Sequence, residues 1–70
     1  MKLSARNQFK GTVVEVMKGV TTSHVRIDIG GGAIVTASIT NEAVDELKLA
    51  KGQPATAIIK ASDVLVGITD

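Results

Sequence analysis

The 70-residue chain has no cysteine, tryptophan or tyrosine, and only one phenylalanine, one proline and one histidine. Each scarcity removes a class of protein. Without cysteine there is no disulfide, no thiolate metal site and no thiol nucleophile, and the absence fits a reducing compartment. His24 stands alone among scattered carboxylates, which gives neither a metal-ligand cluster nor a nucleophile with its base. The chain does not read as an enzyme, and His24 reads as a plain surface residue. Phe9 alone cannot stack a run of bases. Eight basic against seven acidic residues leave a net charge of +1, without the basic stripe of a polyanion binder. No apolar run approaches the ~20 residues that span a membrane. Met1-Lys2-Leu3 leads directly into polar residues, with no signal-like apolar region. The expectation is a cytoplasmic protein that contacts neither nucleic acid nor membrane.

What is present is apolar scaffold. Hydrophobic residues make up 44% of the chain. Seventy residues form one domain, 1–70, and so short a chain buries only about 60% of its unfolded surface. Disulfides and a structural metal are missing, so oligomerisation is the remaining way to stabilise it. A homo-oligomer is predicted.

Most of the chain has a period of two. Thr12-Val13-Val14-Glu15-Val16-Met17 is β-branched and reads as a strand. In residues 24–29, Val25, Ile27 and Ile29 alternate with His24, Arg26 and Asp28. Gly30-Gly31-Gly32 suits a tight hairpin, and 33–40 alternates again. At Thr40 the spacing becomes helical through Ala43, Val44, Leu47 and Leu49, with Thr40 or Asn41 as N-cap and Lys51-Gly52 as the stop. Pro54 opens a strand over 55–60, residues 61–63 turn, and 64–68 read as a last strand. The predicted fold is all-β: an OB-like, five-stranded Greek-key barrel with one short helix between strands 3 and 4. Phe9 is expected to anchor the core or an interface.

Three polar segments lie at the ends of these apolar stretches: Ser4-Ala5-Arg6-Asn7, Ile39-Thr40-Asn41-Glu42-Ala43 and Ile59-Lys60-Ala61-Ser62. Thr40 brings a hydroxyl, Arg6 a planar fork of five donors with Ser4 beside it, and Lys60 an ammonium leading into a chain bend. Backbone N–H groups at such bends and at a helix start have no internal partner. Sites made of donors suit an anion that carries no proton. Glu42 opposes the reading, because its charge competes for the same helix end.

Ser4-Ala5-Arg6-Asn7-Gln8, Gly11-Thr12-Val13, Ile39-Thr40 and Ile59-Lys60-Ala61-Ser62-Asp63-Val64 together resemble the molbindins, small molybdate-binding proteins of the TOBE-domain family. The resemblance covers Ser4 to about Thr69. It implies an OB-like fold, molybdate or tungstate as ligand with no organic cofactor, and a hexamer built as a trimer of dimers. It also implies oxyanion-binding residues Ser4, Arg6, Thr40, Lys60, Ala61 and Ser62, with Ser4 and Arg6 of one subunit facing the other four on its partner. Relatives often carry a hydroxyl three positions after Thr40, where this chain has Ala43. A second class of site near the three-fold axis would fall to the loop 18–23. Storage and homeostasis of the anion is the implied role; a nucleic-acid-binding or regulatory interaction module of the same fold is the alternative.

Overall fold

A computed structural model describes residues 1–69. The elements run β1 (Asn7–Lys18), β2 (Thr22–Gly30), β3 (Ala33–Thr40), α1 (Asn41–Leu47) and β4 (Pro54–Ile59), followed by a 3₁₀ turn at Ala61–Asp63. One antiparallel sheet has the order β3-β2-β1-β4. Three strands joined in succession, with a fourth returning beside the first, make a Greek key. The mainly β architecture with its single helix after β3 is the predicted one.

β1 is longer than its β-branched stretch and serves two partners. Its first half pairs with β4 from Asn7↔Ile59 to Thr12↔Pro54, and its second half pairs with β2 from Thr12↔Asp28 to Lys18↔Ser23. A bulge between Val13 and Glu15 marks the handover and increases the local twist. Gly11 sits where the strands crowd: a Cβ there would lie 2.2 Å from the Asp28 carbonyl oxygen. The hairpin after β2 uses Gly30, Gly31 and Gly32 at φ of 94°, 62° and 82°, which glycine alone adopts without strain.

The core is Val13, Val25, Ile27, Val44 and Ala57, with Val16, Ile29, Val35, Ile39, Leu49 and Ala55 packed around it. Val44 is the one residue of α1 that is buried, and burying such an aliphatic side chain contributes about 1.5–3 kcal/mol. Thr40 is the N-cap, its hydroxyl accepting from the Ala43 N–H at 3.1 Å.

The structure corrects two expectations. Residues 64–68 form no strand: Leu65, Val66 and Ile68 are 93%, 91% and 91% exposed, and the segment has no ladder partner within the described chain. The sheet thus has four strands, not five. β3 and β4 stay unpaired with each other and flank an apolar cleft of about 760 Å³, lined among others by Val35, Ala37, Ile39, Leu49, Ala55 and Ala57. The helix ends before Gly52, because Lys48 takes the left-handed conformation at φ 53°. Its N–H donates to the Asp45 carbonyl and the Leu49 N–H to the Val44 carbonyl, which closes a Schellman motif. Leu47, at helical spacing from Val44, is exposed and lines the apolar cleft between β3 and β4. Phe9 pairs with Ala57 near the start of β1 and is more than a third exposed, and His24 is exposed as predicted.

Candidate functional site: an oxyanion cradle

Ser4, Ala5 and Arg6 precede β1, while Lys60, Ala61 and Ser62 follow β4. The first and last residues of those strands, Asn7 and Ile59, are ladder partners. Antiparallel pairing therefore brings the two segments together although more than fifty positions separate them in sequence. The Asn7 side chain strengthens the junction by donating from Nδ2 to the Ile59 carbonyl at 3.2 Å. The Gln8 side chain donates to the Ala5 carbonyl at 2.8 Å and holds the entering segment in place. The result is an open cleft of about 570 Å³ lined by Ser4, Ala5, Arg6, Ile58, Lys60, Ala61 and Ser62.

The lining is rich in donors. Neither Arg6 nor Lys60 forms an ion pair among the described residues, whereas Lys18 pairs with Asp45 at 2.7 Å and Arg26 lies 3.9 Å from Glu15. The 3₁₀ turn adds backbone donors. Its internal bonds use the Asp63 and Val64 N–H groups, donating to the Lys60 and Ala61 carbonyls. The Ala61 and Ser62 N–H groups are left over, as the first donors of a helical turn must be. Among the described residues no carboxylate lines the cleft, although Asp63 lies one residue beyond it. Two cations, two hydroxyls and two N–H groups can surround an anion and have little to offer a cation.

Thr40 does not line this cleft. It pairs with Thr22 at the end of the sheet where β1 finishes at Lys18, opposite the end where Asn7 meets Ile59. Its hydroxyl oxygen accepts the Ala43 N–H, which leaves its proton free to donate. The resemblance implies that Ser4 and Arg6 of one subunit face Lys60, Ala61 and Ser62 of its partner; within the single chain these five line one cleft and Thr40 lies apart.

In the loop at 18–23 three donors are committed to the fold, those of Lys18, the Gly19 N–H and the Ser23 hydroxyl. Lys18 is paired with Asp45, and the Gly19 N–H donates to the Thr22 carbonyl at 2.8 Å. Among the described residues no group of three or more His, Cys, Asp or Glu stands together to hold a metal ion. Nor is any helix long and apolar enough to cross a membrane. Sequence reasoning gave no role to the Asn7 amide. Its ladder partner lies 52 positions away, and nothing local signals it.

A family model for the TOBE domain matches residues 3–66. The chain belongs to the TOBE-domain family. It is 50% identical over 68 residues to a probable molybdenum-pterin-binding protein of Haemophilus influenzae, covering 97% of this chain and 99% of that one. It is 54% identical over 66 residues to the molybdenum transport protein ModE of Herbaspirillum seropedicae, covering 94% of this chain but 24% of ModE. Among solved structures it resembles the cytoplasmic molybdate-binding protein ModG in a form with molybdate bound. The TM-score is 0.93 and the identity 42%, over 99% of this chain and 49% of ModG. This TOBE chain thus spans nearly all of the Haemophilus protein, about half of ModG and about a quarter of ModE.

Proposed function

We propose that this TOBE chain, acting as a single domain over 1–70, binds molybdate as an intact oxyanion and accepts tungstate comparably. It stores or buffers the ion in the cytoplasm, performs no chemistry on it and needs no organic cofactor. The observation that carries this reading is the convergence of Arg6, Lys60 and the free Ala61 and Ser62 N–H groups on one cleft that no carboxylate of the described residues lines. The molybdenum-related names of the relatives and the molybdate in the ModG structure support the choice of ion.

The bound state is a homo-oligomer, a hexamer arranged as a trimer of dimers, with each ion shared between copies. Two features favour this. Thr40 lies at the other end of the sheet from the cleft, so it joins Ser4, Arg6, Lys60, Ala61 and Ser62 around one ion only when a second copy supplies it. The apolar segment 64–68 and the apolar cleft between β3 and β4 are also exposed in the single chain. Apolar surface of this kind is stabilised by burial against another copy.

Selectivity follows from the donors. Hydrogen phosphate carries a proton that needs an acceptor, and leaving such a buried group unmatched costs about 1–3 kcal/mol. Sulfate carries none and is disfavoured by its smaller size. Native mass spectrometry with and without molybdate tests both parts of the reading. The expected result is an oligomer that gains whole oxyanions; a folded monomer that takes up none would overturn it.

A further inference from the structure

Ser23 is the buried polar residue of the core region, 0% exposed on the inward face of β2, and its hydroxyl donates to Asn41 Oδ1. The other end of the same amide is also engaged. Asn41 Nδ2 donates to the Gly19 carbonyl at 3.1 Å and to the Val20 carbonyl at 3.3 Å. The Asn41 backbone N–H donates to the Thr21 carbonyl at 2.9 Å. One residue thus ties the first position of α1 to the core strand β2 and to the three loop residues before it. Thr40 is its immediate neighbour and pairs with Thr22 across the ladder. The Thr40–Asn41 peptide is held from the core side, the loop side and the strand side at once.

We infer that Asn41, through Ser23 and the loop carbonyls, is a positioning residue for the oxyanion site: it fixes the peptide that presents the Thr40 hydroxyl. The inference rests on the oxyanion reading above and adds to it a residue that never touches the ion. A donor held in one orientation before binding loses little freedom when the ion arrives, so the fixing appears as affinity. Asparagine suits the place because its amide both accepts from a hydroxyl and donates to carbonyls. Alanine does neither, and aspartate would set a carboxylate against two carbonyl oxygens.

The test is a mutant cycle read by molybdate calorimetry on the assembled protein, with circular dichroism to verify folding. Asn41→Ala is expected to weaken molybdate binding roughly five- to tenfold in the parent background, and to have no further effect in a Thr40→Val background. In a Lys60→Ala background the same change should still weaken binding, because Asn41 bonds Ser23, Gly19 and Val20 rather than Lys60 and the Thr40 hydroxyl it positions is intact. If Asn41→Ala does not fold, Ser23→Ala takes its place: it deletes one bond, leaves the loop contacts, and should show the same coupling to Thr40 at roughly two- to fivefold. A general loss of stability would lower the melting temperature without such selective coupling. Binding unchanged in both variants, or a loss that persists in the Thr40→Val background, would overturn the inference while leaving the proposed function standing. A parent protein that takes up no molybdate would overturn both.

Discussion

Thr40 and Arg6 are proposed to serve the same ion, yet the chain holds them in unlike ways. Thr40 stands where β3 runs into α1, beside the Asn41 amide that bonds the buried Ser23 hydroxyl and the loop carbonyls. Its own hydroxyl doubles as the helix cap. Arg6 and Lys60 stand on exposed segments outside the sheet, joined by strand pairing and two side-chain bonds, from Asn7 and Gln8. At Thr40 the structural role and the proposed binding role use the same atoms; at Arg6 and Lys60 the two are separable. Substitutions of Arg6 and Lys60 should therefore act on affinity alone, and those of Thr40 on affinity and stability together.

The largest expected effect is at the separable end. Arg6→Ala and Lys60→Ala should each weaken molybdate binding by ten- to a hundredfold, since a charge-assisted bond contributes about 1.5–3 kcal/mol. Neither should move the melting temperature of the unliganded protein appreciably, because neither side chain has an ion-pair partner among the described residues. Calorimetry paired with thermal denaturation checks this; a large thermal loss in either variant would break the contrast.

Next comes the shared end. Thr40→Ala should lose the cap, about 1 kcal/mol of stability, and weaken binding in the same protein. Thr40→Ser should preserve both. Thr40→Asp should preserve the cap and lose the ion, since a carboxylate caps a helix but repels an oxyanion. The aspartate variant pulls apart the cap and the proposed ion contact, which rest on one hydroxyl, and the serine variant is its control.

A smaller effect is expected at Asn7, the hinge of the exposed cleft. Asn7→Ala removes the bond to the Ile59 carbonyl, which contributes about 0.5–1.5 kcal/mol. The loss should appear as a few-fold drop in molybdate affinity together with a slight loss of stability. An unchanged affinity would mean that strand pairing alone places Arg6 beside Lys60.

The smallest effect serves as a control. Lys48 holds a left-handed conformation that glycine adopts freely, so Lys48→Gly should stabilise the fold by about 0.5–1 kcal/mol. It touches no proposed donor, and affinity should stay constant as the melting temperature rises. A change in affinity would show that stability and binding are linked more widely than the two-ended picture allows.

The sequence by itself determined what depends on neighbours within a few residues. Alternation of Val25, Ile27 and Ile29, the three glycines of the hairpin, the Thr40 cap and the donor-rich character of the three polar segments are all local patterns. Side-chain direction in a strand repeats every two residues, and a cap bonds within three. The tertiary structure decided what depends on register between distant segments. The pairing of Asn7 with Ile59 puts Arg6 beside Lys60, and the reach of Asn41 back to Ser23 braces Thr40. It also decided where local pattern misleads. Residues 64–68 are as strand-like as any other stretch, but a strand needs a partner for its backbone N–H and C=O groups. Among the described residues none is offered, so the segment stays unpaired and exposed. Periodicity states which face a residue presents, whereas only the fold states what that face meets.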